Sequence, residues 1–233
     1  MIDYQRDLES VRTATERLLT AVAGLDSARL AGPSRLPGWS RGHVLAHVSR
    51  NADAIARVLQ GRPMYASAAA REEEIEQGAA RPLDVQLADL LDSDARLRAV
   101  SALPADWNRT LTLRNGVTDT AARVPFRRLV EVELHHVDLD IGYELEDLPR
   151  DFLLREIAFL TARFAGHPEV PPVRLVAPGE PDDWFTGGAT GDPVTVSGTP
   201  AALVGWLAGR GFGAEPAIRT GAPEAGLPAL PPL

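Results

Sequence analysis

A chain of 233 residues, 45% of them apolar, can build one large domain or two modest ones around a core that needs no staples. It has no cysteine, which excludes disulfides, thiolate metal sites and a cysteine nucleophile, and all 24 basic residues are arginine, which excludes lysine Schiff-base chemistry. A net charge of −8 argues against general nucleic-acid binding, which needs a basic face. With no signal-like N-terminus and no apolar run of about 18 residues, the expectation is a cytoplasmic protein that does not use a membrane.

Leu8, Val11, Leu18, Val22 and Leu25 recur at helical spacing and predict a helix over residues 3–25. Two prolines make 31–38 a loop. Ser40 is a suitable N-cap, Trp39 can staple onto Val44, and the helix that follows carries Val44, His47, Val48, Asn51, Ile55 and Val58 on one broad face. Gly61 and Pro63 stop it. Residues 66–77 are polar and helix-prone. Residues 82–100 form a further helix, with Pro82 in its first turn and Leu83, Leu87, Leu90, Leu91 and Leu97 inward. Leu111 and Leu113 alternate with threonines ahead of Asn115-Gly116, which predicts a short ribbon over 107–117. A helix over 125–142 has Val130, Leu134, Val137 and Ile141 as its apolar stripe. These segments outline a four-helix antiparallel bundle.

Beyond residue 148 the texture changes. One helix is expected over 151–164 and another over 200–208, with β-like pieces at 173–176 and 194–197 and a Pro/Ala/Gly-rich tail from Gly221. The fold class is therefore α+β: a helical bundle over 1–148 and a small α+β domain over 149–233 with a mobile tail.

The chemistry concentrates in the segment Arg127 to Asp140. Glu131 and His135 are four apart and share a helix face, with Asp138 three further along the same side. That polar stripe adjoins the apolar one, so it should face the bundle interior. Bundle cores build metal sites from inward His and Glu on facing helices, and His47, set in the apolar face of its own helix, can supply a third ligand. Two histidines and one carboxylate leave positions open, the catalytic pattern for zinc, and Asp138 can fix a histidine tautomer from behind. An i,i+4 Glu–His pair is nevertheless more often a surface interaction, and a lone inward histidine more often a satisfied core residue. His43 with His47, and Glu133 with His136, are rival pairs that spacing alone does not eliminate. Arg71 can clamp a carboxylate, yet its setting Arg71-Glu72-Glu73-Glu74 reads more simply as a solvated charged helix. Arg210 can meet either a ligand or a helix C-terminal carbonyl. No phosphate-binding loop, nucleophile elbow or dinucleotide fingerprint is present.

Leu36-Pro37-Gly38-Trp39-Ser40 running into Val44-Leu45-Ala46-His47, and Arg128-Leu129-Val130-Glu131-Val132-Glu133-Leu134-His135-His136-Val137-Asp138, resemble the mycothiol-dependent maleylpyruvate isomerases, among the DinB-like metal-binding helical bundles. Arg71 to Ala79, Val196-Ser197-Gly198 and Trp206 to Arg210 extend the resemblance over nearly the whole chain. It implies a ligand set of His47, Glu131 and His135 for Zn2+ or another divalent metal, and disfavours His43. It also implies that Arg71, with Arg81 as its nearby rival, and Arg210 bind the thiol and an unsaturated dicarboxylic acid and act in catalysis.

The implied reaction, a step in gentisate breakdown, turns the cis double bond of maleylpyruvate into the trans bond of fumarylpyruvate. A thiolate adds, the bond rotates, and elimination restores the alkene. The thiol must come from outside, and mycothiol fits. A zinc-dependent mycothiol S-transferase with the same site, and a non-catalytic metal-binding regulator, are the competing readings.

Overall fold

The computed structural model describes residues 2–103, 105–211 and 227–232, and the backbone of 217–219. The chain divides into two compact units between Tyr143 and Glu144.

The first unit is built on four long helices: α1 (Tyr4–Ala23), α3 (Arg41–Leu59), α5 (Leu83–Ser101) and α6 (Val124–Asp138), with the short α2 (Ser27–Ala31) between the first two. α3 lies centrally, packed against α5 and α6, while α1 packs on α6 and α5. Val11, Leu18, Val44, Val48, Ile55, Leu90, Leu97, Val132 and Val137 fill the space between them. The periodic leucines and valines thus specify the bundle, because each helix must bury its apolar stripe against a neighbour.

α3 begins as its sequence suggests. The Ser40 side chain accepts from the His43 backbone N–H, and the His43 ring returns the contact to the Ser40 backbone. α4 (Ala68–Ala79) lies across α3. Glycines permit this close approach: a Cβ at Gly78 would fall 2.7 Å from the Ala46 Cβ, and one at Gly42 would fall 2.5 Å from the Ala79 carbonyl oxygen. Ala46 is the residue before His47, so these contacts hold α4, and Arg71 on it, beside the chemistry. The expected ribbon is a two-stranded antiparallel hairpin, β1 (Thr110–Thr112) with β2 (Thr118–Thr120), turned at Asn115 and Gly116, both at positive φ.

In the second unit α7 (Arg150–Phe164) and α8 (Pro200–Leu207) pack together beside a four-stranded sheet. The strands β3 (Val173–Val176), β4 (Trp184–Thr186), β5 (Val194–Ser197) and β6 (Ala217–Arg219) run in the order β4-β3-β5-β6, with β3 and β5 parallel and the outer pairings antiparallel. Phe152, Ile157, Leu160, Phe164, Leu175, Val196, Leu203 and Leu207 form its core. The expected tail falls partly on 221–226, outside the described residues. Residues 227–232 carry no regular structure, and the Trp206 indole N–H donates to the Pro228 carbonyl at 3.2 Å. Among the described residues no helix is long and apolar enough to cross a membrane.

Candidate metal centre

His47 projects from the middle of α3 and Glu131 and His135 from adjacent turns of α6. Where the two helices pack, the three side chains converge. His47 Nε2 lies 3.0 Å from Glu131 Oε2, and His135 Nε2 lies 3.2 Å from the same oxygen. One donor atom from each residue falls within 4.8 Å of the others, and the imidazoles meet edge to face at 4.7 Å. Ligands on a tetrahedral ion with bonds of about 2.0–2.1 Å stand roughly 3.3 Å apart. The donor spacing and the N2O chemistry therefore fit a single divalent ion, with zinc well suited to both.

Both imidazoles have a second contact behind them. Asp138, fully buried, places Oδ2 2.8 Å from His135 Nδ1. A carboxylate there keeps the ring proton on Nδ1 and turns Nε2 toward the centre. Behind His47, Arg71 donates from Nη2 to Nδ1 at 3.2 Å. The Trp39 indole lies edge-on to the His47 ring at 5.5 Å, so it packs against this histidine.

The charges are shaped by these neighbours. For His47, burial is the strongest influence and the positive His135 adds to it, so its pKa sits below the ordinary imidazole value. Burial alone would raise Glu131, but hydrogen bonds from His135 and His47 outweigh it and hold the carboxylate well below its usual range. Burial also opposes charge on His135, and there Asp138 and Glu131 prevail and raise it. The site thus keeps an ionised carboxylate between two imidazoles of opposite tendency.

Arg71 proves to be 7% exposed rather than part of a solvated face. Besides His47 it meets Glu72 Oε1 at 2.5 Å, and its guanidinium stacks over the Tyr65 ring at 5.8 Å. Arg81 is turned away, 3.4 Å from Asp89. His43 is spent on its helix cap, with Nε2 3.3 Å from Glu76, and takes no part in the cluster. Arg210 belongs to the second unit, where its Nη1 donates to the Ala208 carbonyl at 2.9 Å, at the C-terminal end of α8.

One participant escaped the sequence reading. Arg128, 1% exposed, donates from Nη1 to the Val48 carbonyl at 2.8 Å and to Asn51 Oδ1 at 2.9 Å. It ties α6 to α3 one turn from Glu131 and next to His47. Its Nε and Nη2 have no hydrogen-bond partner among the described residues. Burial lowers its pKa, and the Glu131 carboxylate opposes that. The signal was available: Arg128 stands three before Glu131 and so shares its inward face.

The match to known proteins falls on this same framework. The family model described as the mycothiol maleylpyruvate isomerase N-terminal domain matches residues 11–140, and the corresponding C-terminal domain matches 147–229. The chain belongs to the mycothiol maleylpyruvate isomerase family. Two solved structures are alike over 94% of each chain: a mycothiol-dependent maleylpyruvate isomerase at 28% identity and a TM-score of 0.85, and a histidine-to-alanine mutant at 27% and 0.86. A search of curated proteins finds no match. The family is one of enzymes, and the expected α+β architecture with a DinB-like helical bundle is the one found.

Proposed function

We propose that this protein is a thiol-dependent cis–trans isomerase acting on maleylpyruvate or a close analogue, with mycothiol as the thiol and a divalent ion at His47, Glu131 and His135. The observation that carries this reading is the convergence of two imidazoles and one carboxylate, from two different helices, on one point. Three protein ligands leave an ion open to guests, whereas a structural zinc site is closed by four. When bound, the ion supplies Lewis acidity that lowers the pKa of a thiol and polarises a carbonyl or enol oxygen.

The chain's own residues set the conditions. With no cysteine, it has no thiol of its own to add to the alkene, so the thiol is external. Asp138 holds the His135 proton away from the centre. A guanidinium only donates, so the contact of Arg71 with His47 Nδ1 needs a lone pair there and a proton on Nε2. Were His47 to hold an ion through Nε2, its proton would sit on Nδ1, which could then not accept from Arg71, and the guanidinium would be left to meet an anionic substrate as a rigid fork suited to carboxylates.

The test is an assay of maleylpyruvate with metal-loaded and metal-stripped protein, each with and without mycothiol. The reading predicts trans product only when both are present, with free thiol regenerated. Full activity in stripped protein, or without thiol, refutes it. Stoichiometric consumption of thiol would make the protein an S-transferase instead.

A further inference from the structure

A cavity of about 540 Å³ opens within the first unit, between the end of α3, residues 61–68 and the β1–β2 hairpin. Its wall changes character with depth. Val58 and Leu111 are buried, and Met64 and Leu113 are half-buried. Arg62 and Arg114 stand exposed at the rim, and Arg71 also lines the cavity. No Asp or Glu is among the lining residues, in a chain whose net charge is −8. Arg62 donates to the Gln60 amide oxygen, and the Arg114 side chain has no carboxylate partner among the described residues. Arg71 is the link to the centre, since the residue that lines this cavity also touches His47 at 3.2 Å.

We infer that this cavity receives the acid substrate and is built for an unsaturated dicarboxylate carrying an apolar substituent. The inference rests on the function proposed above and extends it to substrate class. A ligand here has an end at Arg71, which contacts His47 from behind. Its body lies against Val58, Met64, Leu111 and Leu113, and its outer carboxylate faces Arg62 and Arg114. Apart from Arg71 and the half-buried Tyr65, the buried and half-buried wall is mainly aliphatic and thioether, and such a wall favours hydrocarbon over a hydroxyl-rich sugar, which would lose hydrogen bonds to water there. The volume is that of a pocket for a drug-sized ligand, roughly 300–1,000 Å³, which leaves room for a substituent on a small diacid. Apolar burial supplies affinity, and the arginines supply orientation through paired N–H donors.

The experiment is calorimetric titration of the zinc-loaded protein with maleate, phenylmaleate and the neutral dimethyl ester of phenylmaleate. Phenylmaleate should bind at least about tenfold tighter than maleate, the scale on which pockets discriminate apolar groups. Leu113→Ser, a half-buried hairpin position, should cut that preference to below about threefold. Arg62→Gln with Arg114→Gln should weaken both diacids and leave the diester unmoved. Equal binding of maleate and phenylmaleate, or an unchanged preference in Leu113→Ser with native circular dichroism, would overturn the inference. The maleylpyruvate assay separates the two claims. Tight phenylmaleate binding without isomerisation sinks the proposed reaction and leaves the pocket. Isomerisation without the substituent preference does the reverse.

Discussion

Two faces of one helix carry nearly the same residues and do different things. On one side of α6, Glu131 and His135 are four apart, and both point at His47 of α3. On the other, Glu133 and His136 are three apart and both buried, yet their polar atoms do not converge. Glu133 Oε2 is 2.9 Å from both Arg17 Nη1 and the Tyr143 hydroxyl, which also accepts from Arg17. His136 is stacked flat on the Tyr143 ring at 4.0 Å. Burial raises Glu133 against the pull of Arg17, whereas Glu131 is held well below its ordinary value by two imidazoles. Residue type and burial therefore do not make a metal site. What distinguishes the first face is that three donors from two elements aim at one point and both imidazoles have a partner behind them.

The contrast can be broken first at its strongest point. His47→Ala removes the only ligand that α3 contributes, so bound zinc should vanish and turnover should fall by roughly three orders of magnitude or more. His136→Ala should leave zinc content at the wild-type level. Elemental analysis of the two variants decides between the faces, and zinc lost from His136→Ala alone would reverse the assignment.

A smaller effect tests the contact behind the ligand. Asp138→Asn keeps the shape and removes the charge facing His135 Nδ1. Zinc affinity, measured by chelator competition, should drop about 10- to 100-fold. No change would mean that His135 is not oriented from behind.

Protons compete for the same atoms. His135 has its folded pKa raised, so in the metal-free protein it takes up a proton already above the ordinary imidazole value of about 6.5. That proton must leave before zinc binds. Affinity should therefore fall with decreasing pH, beginning above pH 6.5, by up to about tenfold per unit for one displaced proton. The matching stability sign follows from the same shift: the His135 contribution to metal-free folding is present below the unfolded value and is lost as pH rises through the folded one. A flat zinc affinity from pH 8 to 6 would contradict this.

The smallest effect belongs to the other face. Tyr143→Phe removes one donor to Glu133 and should cost about 1 kcal/mol of stability in denaturant unfolding, with zinc content unchanged. Reduced zinc occupancy in this variant would show that the two faces are coupled through α6.

Much of this arrangement was legible because it rests on local rules. Ser40 caps α3, the 3.6-residue period of α6 sets Glu131, His135 and Asp138 on one side, and Asn115-Gly116 turns the hairpin. The failures are physical too. α2 spans only Ser27–Ala31, too short for a periodic stripe, although Asp26 caps it by accepting from the Arg29 N–H. β4, Trp184–Thr186, is three residues long and pairs with β3 across a long connection, so its order comes from partners and not from its own pattern. α6 ends at Asp138 rather than near Gly142, because Asp140 and Gly142 take positive φ even though Ile141 continues the apolar spacing. At the site, the i,i+4 pair was visible but its rivals were not separable. Only tertiary contacts show His43 engaged with Ser40 and Glu76, Arg81 with Asp89, and Arg71 buried against His47. The role of Arg128 was equally hidden, since a helix-face position does not say which carbonyl across the interface a guanidinium will find.

The most direct measurement is X-ray absorption at the zinc edge of the purified protein, with metal content determined on the same sample. The account predicts one ion per chain in a shell of two imidazole nitrogens and one carboxylate, completed by exchangeable light atoms and lost together with His47. A shell closed by four protein ligands, or an ion that persists in His47→Ala, would contradict it.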